Sequence, residues 1–254
     1  MARFRPIGHE DRLSVVEHLD ELRTRIIVCL AAFGVALGLC FWQNHLILRI
    51  VNHPLGHRKP TTFGVAEPFT TTFTVAAYAA ILLALPVVLY QLYAFVLPAF
   101  SPTERRVALP LLLLVPFLFV GGVAFGYFVV IPAALKFLLH FNTSQFHIQI
   151  RARDYYSFVT LTLLSVGLVF QVPVLILALT RLGVTTPQKL RKNRRYAILV
   201  CAVVAAALPG VDPVSMLLEM VPLVALYELS ILLAAAFGRP SAEASDQVAT
   251  VEGS

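Results

Sequence analysis

Six long apolar runs separated by polar connections govern what this chain can fold into. They lie near residues 26–44, 69–98, 107–134, 157–180, 197–211 and 214–237 of the 254. A helix needs about 20 apolar residues to cross a hydrocarbon core about 30 Å thick. In lipid the backbone must satisfy its own hydrogen bonds, so each run is expected to be helical. The sequence predicts an all-α integral membrane protein with six transmembrane helices, the last two short. Hydrophobic residues make up 58% of the chain and charged residues 13%, which excludes an ordinary soluble domain. The expected organisation is a cytoplasmic amphipathic N-terminal segment (1–25), a six-helix transmembrane domain (26–237) and a disordered cytoplasmic tail (238–254).

The net charge of +6 is unevenly spread. With the N-terminus inside, 14 of the 20 Lys and Arg residues fall on the inner side and six on the outer. Excess Lys and Arg stays on the cytoplasmic side, so both termini are expected to be cytoplasmic. The basic residues sit at helix ends, where topology accounts for them, and a nucleic-acid partner is not expected. Cys29, Cys40 and Cys201 all lie inside apolar runs, which is no disulfide framework. No Cys/His pair has metal-ligand spacing, and neither a metal nor a cofactor is expected. No phosphate-binding loop and no Gly-x-Ser-x-Gly elbow occurs, so enzymatic chemistry has no anchor here. The first apolar run lacks a small-residue cleavage site and is expected to be retained.

Ser14-Val15-Val16-Glu17 fits a capping box. Leu13, Val16, Leu19, Leu22 and Ile26 then recur at helical spacing, an amphipathic helix at the inner face running into the first span. Its acids Glu17, Asp20 and Glu21 do not suit a plain anchor, because an anionic leaflet repels them. The outer connection from His45 to Pro68 carries Pro54 and Pro60 and reads as irregular. Glu104 falls in the first turn of the third span, where a negative charge suits the helix dipole. Pro110, Pro116 and Pro132 predict bends in that span. Residues 197–211 cover only about 22 Å as a helix, and Pro209, Gly210, Asp212 and Pro213 predict a tight hairpin with the last span.

Glu228 stands about 16 Å from the inner end of its run, near the midplane. An acid there is a functional residue or a protonated hydrogen-bond partner to a neighbouring helix. Gln171 is cheaper to bury and suits helix packing. Asp212 and Glu219 are seven residues apart and share a face if the last helix begins that early.

Several strings resemble one family. His18-Leu19-Asp20-Glu21-Leu22-Arg23 is similar to the His-Leu-x-Glu-Leu-Arg signature of TatC, a component of the twin-arginine translocase. Tyr90-Gln91-x-Tyr93-Ala94-Phe95-Val96-x-Pro98-Ala99, followed by Glu104-Arg105-Arg106, resembles the exit of that family's second span and its first cytoplasmic loop. Gly126-Tyr127-Phe128-Val129-Val130, Phe170-Gln171-Val172-Pro173, Asp212-Pro213 and Tyr227-Glu228 continue the likeness in order.

The resemblance implies a receptor in the bacterial cytoplasmic membrane for signal peptides bearing adjacent arginines. Such a receptor passes folded proteins across the membrane on the proton-motive force, with TatA-like and TatB-like single-span partners and with further copies of itself. It implies that Glu21 and Glu104 receive the two guanidinium groups, beside Arg23, Phe95, Arg105 and Arg106. Phe95 has a second reading as an ordinary interfacial aromatic. The resemblance also marks Pro54 in the outer loop, with Gln171, Asp212 and Glu228, as partner-binding or mechanistic positions. One departure stands out: the family usually has glutamate where this chain has Gln171, and an amide carries no titratable proton. The alternative to a receptor is a proton-coupled small-solute transporter with Glu228 as relay. It predicts an inverted internal repeat, and none is visible.

Overall fold

The computed structural model describes residues 15–96, 102–145, 148–181, 183–208 and 213–237, with side chains from residue 20 onward except over 96–113. The described chain is helical, with a single β-bridge between Thr61 and Arg151. The helices are α1 (Val15–Trp42), α2 (Asn44–Asn52), α3 (Glu67–Val96), α4 (Pro102–Phe125), α5 (Ile131–Leu138), α6 (Ala152–Val169), α7 (Val172–Arg181), α8 (Pro187–Lys192), α9 (Arg194–Ala207) and α10 (Pro213–Phe237). Five segments are long and apolar enough to cross a membrane: Asp20–Trp42, Glu67–Phe95, Leu114–Leu138, Ala152–Arg181 and Pro213–Ala236. The sixth apolar run forms α9, whose 14 residues rise only about 21 Å.

α1 passes the expected boundary at residue 25 without a break, and the amphipathic segment and first span are one helix. Trp42 is 78% exposed at its end, a position suited to a membrane interface. About 20 residues back from Trp42, one core thickness away, lies Leu22. Glu21 and Arg23 therefore sit where the helix leaves the apolar layer. α1 packs on α3 through small residues. Ala76, Ala80 and Ala84 recur every four residues on α3 and meet Ala36 and Cys40. Small side chains let helices approach closely where lipid offers no hydrophobic drive.

The connection after α1 is not irregular as expected. It holds α2 and a 3₁₀ turn, His53–Leu55, with Pro54 at the start of the turn. This segment survives because it is tied down. Val51 and Leu55 are buried against Val75, Ile131, Leu135 and Tyr155. Tyr155 Oη donates to the Val51 carbonyl at 2.6 Å and Tyr127 Oη to the Ile50 carbonyl at 2.8 Å. The next stretch bonds the α5–α6 connection, Thr61 N–H to Ile150 O and Ala152 N–H to Thr61 O, both 2.8 Å. Glu67, buried beneath Arg151, accepts its Nε–H at 2.9 Å and the N–H groups of Phe63 and Gly64. The Glu67 hydrogen bond and charge hold the Arg151 guanidinium above its ordinary value. These contacts form a cap over one end of the bundle, called here the capped end. The opposite end carries the start of α1, the end of α3, the start of α4, and α8.

The third span runs as regular helix through Pro110 and Pro116; its irregularity is a π-turn at Gly126–Val130. The π-turn passes directly into α5, whose second residue, Pro132, has no N–H for the Phe128 carbonyl inside that turn. The fourth span breaks at Phe170–Gln171. Pro173 has no N–H for the Val169 carbonyl, so the chain tightens, Gln171 N–H bonding Leu168 O at 2.9 Å, before α7 restarts. α4 and α6 cross at a pair of glycines. A methyl group on Gly122 would stand 2.8 Å from Phe170 Cβ, and one on Gly167 2.7 Å from the Phe119 ring.

Candidate functional site

Glu21 stands on α1 at the water boundary of the basic end, one helical turn before Arg25. The spacing lets Arg25 fold back, and its Nε donates to Glu21 Oε1 at 3.1 Å while Nη2 donates to the same oxygen. The guanidinium also reaches across to the last turns of α3. Nη1 donates to Gln91 Oε1 at 3.0 Å and Nη2 to the Ala94 carbonyl at 3.3 Å. One arginine thus joins the acid of α1 to the end of α3, where Phe95 stands half-buried. Glu21 and Arg25 are both partly exposed, at 29% and 21% of their side-chain surfaces. A carboxylate that already receives a guanidinium, with an amide and a carbonyl beside it, is a seat suited to arginine. The planar fork of arginine fills such donor–acceptor geometry, whereas an ammonium group does not.

Arg23 lies exposed two residues from Glu21. Glu104, Arg105 and Arg106 occupy the first turn of α4, whose start lies at the same end of the bundle; their side chains lie outside the described residues. Neither Arg25 nor Gln91 was singled out from sequence as a site residue. The available signal was the Glu21-to-Arg25 interval of four, an ordinary helix pair by itself.

The other candidates are scattered. Pro54 belongs to the cap at the far end. Gln171 is 6% exposed at the α6–α7 break, and its Nε2 donates to the Val115 carbonyl of α4 at 3.3 Å. An ionised carboxylate has no proton to give that carbonyl, whereas the amide does; the Oε1 atom is buried without a partner among the described residues. Asp212 lies outside the described residues. Glu228 was expected as a functional acid within the span or as a protonated hydrogen-bond partner to a neighbouring helix, and the structure gives it an arginine. Its carboxylate accepts a 2.7 Å bond from Arg194 Nη2 at the first residue of α9, and neighbouring Tyr227 donates to the Leu190 carbonyl of α8 at 2.9 Å. The α8–α9 corner meets α10 well before α10 ends, which sets Glu228 beside arginine. Glu219, which the resemblance left without a role, is 2% exposed on α10.

Five apolar helices long enough to span, a shortened sixth, a tied cap at one end and an acid–arginine seat at the other define a multi-pass membrane protein. The chain belongs to the TatC family: residues 17–222 match the family described as Sec-independent protein translocase protein TatC. It is 35% identical over 228 residues to the Escherichia coli Sec-independent protein translocase protein TatC, covering 87% of this chain and 88% of that one. The corresponding Carboxydothermus hydrogenoformans protein is 36% identical over 229 residues, covering 89% and 94%. Bacillus subtilis TatCd is 36% identical over 221 residues, covering 87% and 91%. A crystal structure of the twin-arginine translocase receptor TatC superposes with a TM-score of 0.74 at 32% identity, over 88% of this chain and 100% of that one. These relatives place the chain among bacterial inner-membrane translocase components, and that family is not one of enzymes.

Proposed function

We propose that this chain is the receptor of a twin-arginine translocation system, binding signal peptides with adjacent arginines and organising transport of folded proteins on the proton-motive force. In this reading it crosses the cytoplasmic membrane six times, α9 being a short sixth span, with both termini in the cytoplasm and the basic end facing inward. The positive-inside bias supports that orientation. Glu21 and Glu104 receive the two signal arginines, while Arg23, Arg105 and Arg106 shape the loop and Phe95 packs on the signal. The cap containing Pro54, the α6–α7 break at Gln171 and the positions Asp212 and Glu228 serve TatA-like and TatB-like partners or further copies of the chain.

The observation that carries the reading is the Glu21 carboxylate seated against a guanidinium at the end of α3. A signal arginine fits the place Arg25 now holds. Two such contacts do not reach micromolar binding, which needs about 8 kcal/mol. The apolar stretch of the signal supplies the remainder by lying along the helices. The test is photocrosslinking of the purified protein to a labelled Arg-Arg signal, repeated with Lys-Lys and with Glu21→Gln and Glu104→Gln. Loss of the crosslink in each altered case supports the receptor; crosslinking indifferent to all of them defeats it.

A further inference from the structure

At the capped end, far from Glu21, a cavity of about 710 Å³ opens between the first turns of α3 and α6. Its floor is the Glu67–Arg151 pair. From there a polar stripe descends α3 through Thr70, Thr71, Thr74 and Tyr78, facing Arg153 and Ser157 of α6. Thr70 and Thr74 spend their hydroxyls on backbone carbonyls one turn back. Thr71 does not: it is 6% exposed and its hydroxyl has no partner among the described residues. Arg153 is exposed and forms no ion pair among the described residues. Glu67 is engaged by Arg151, and Asp154 acts on Arg151 from outside the lining, which leaves Arg153 as the cationic group in the cavity wall without a direct ion pair among the described residues.

Depth decides what belongs there. α3 has 30 residues and rises about 45 Å, roughly 15 Å more than the hydrocarbon core. Its first turn therefore stands in the headgroup layer, and Tyr78, about 16 Å further along, stands within the acyl region. Phe63 lines the mouth at 65% exposure, and Tyr78 and Tyr156 line the cavity further in. A water-soluble anion has no use for a cavity that continues into lipid. A phospholipid has phosphate oxygens for Arg153 and the remaining Arg151 N–H groups, ester oxygens for hydroxyl donors, and chains for the rings of Phe63 and Tyr78.

We propose that this cavity binds the headgroup of one anionic phospholipid from the leaflet at the capped end, with Arg153 as its charge contact. Seated there, the lipid bridges the starts of α3 and α6 alongside the Thr61–Arg151 bridge.

Native mass spectrometry of the full chain, loaded with phosphatidylglycerol in detergent, tests this. The intact protein is expected to retain one lipid, and Arg153→Gln to weaken that retention roughly tenfold, the size of one charge-assisted contact. Ser157→Ala, which removes a hydroxyl without touching the ion pair, is expected to weaken it about threefold. Arg58→Gln with Lys59→Gln, on the same end but outside the cavity, leaves it unchanged. Unfolding temperatures of all variants establish that each is folded. Retention by Arg153→Gln equal to the original overturns the proposal. So does displacement of the lipid by millimolar inorganic phosphate, which would make this a site for a free anion.

Discussion

Glutamine at position 21 separates recognition of arginine from general attraction of positive charge. In the resting structure Glu21 is already engaged by Arg25, so a signal guanidinium gains only the difference between the new contact and the old one. The old one combines an i,i+4 pair, about 0.3–0.5 kcal/mol on an isolated helix, with charge-assisted bonds of about 1.5–3 kcal/mol when well buried. Partial exposure at 29% and 21% brings both toward the lower end. A signal arginine that fills the seat with better geometry then nets about 1 kcal/mol, roughly fivefold in affinity. Fluorescence anisotropy with the detergent-solubilised protein and a labelled signal reads this directly. Glu21→Gln is expected to raise Kd for the Arg-Arg signal about fivefold and for the Lys-Lys signal less than twofold. The difference is expected to shrink as salt rises, because the seat is partly open to water. Equal losses for the two signals, in a variant with an unchanged unfolding temperature, would refute the seat at Glu21.

Gly167→Ala is expected to destabilise the protein by about 1–3 kcal/mol, since its methyl group meets the buried Phe119 ring; the unfolding midpoint in detergent checks it. Tyr155→Phe removes a 2.6 Å bond to Val51 and is expected to cost about 1 kcal/mol, with faster amide exchange confined to residues 50–55. A double-mutant cycle on Arg194 and Glu228, both about half exposed, is expected to give a coupling of about 0.2–1 kcal/mol, read from unfolding midpoints.

The apolar runs were legible because span length and hydropathy are properties of a segment taken alone. α1, α3 and α10 follow directly from them. Features that depend on a distant partner were not legible. α2 looked irregular because its nine residues include Asn44, His45, Arg49 and Asn52. Val51 and Leu55 become core only when Tyr127 and Tyr155, more than 75 residues away, donate to the carbonyls of that segment. Of the prolines in the third span, Pro110 and Pro116 sit in regular helix, and the departure from α-helix comes at Gly126–Val130, immediately before Pro132. Glu228 was legible as an acid within its run, but its partner was not, because Arg194 opens α9 34 residues earlier and only the fold brings the two together.

The seat at Glu21 shows the same division. Three carboxylates on an amphipathic face contradicted an anchor, and the family resemblance singled out Glu21 among them. Neither identified Arg25, whose importance comes from reaching both Glu21 and the Gln91–Ala94 turn. That double reach has a mechanical consequence. A guanidinium arriving at Glu21 competes with the contact that ties the start of α1 to the end of α3, so occupancy of the seat and the tie between those helices are linked. Among the described residues the capped end is tied by tyrosine hydroxyls on backbone carbonyls, by backbone bonds at Thr61 and by the Arg151–Glu67 pair, several contacts that an arriving arginine at Glu21 does not touch. Adjustment on binding is therefore expected at the basic end, with the capped end as the fixed frame against which it moves.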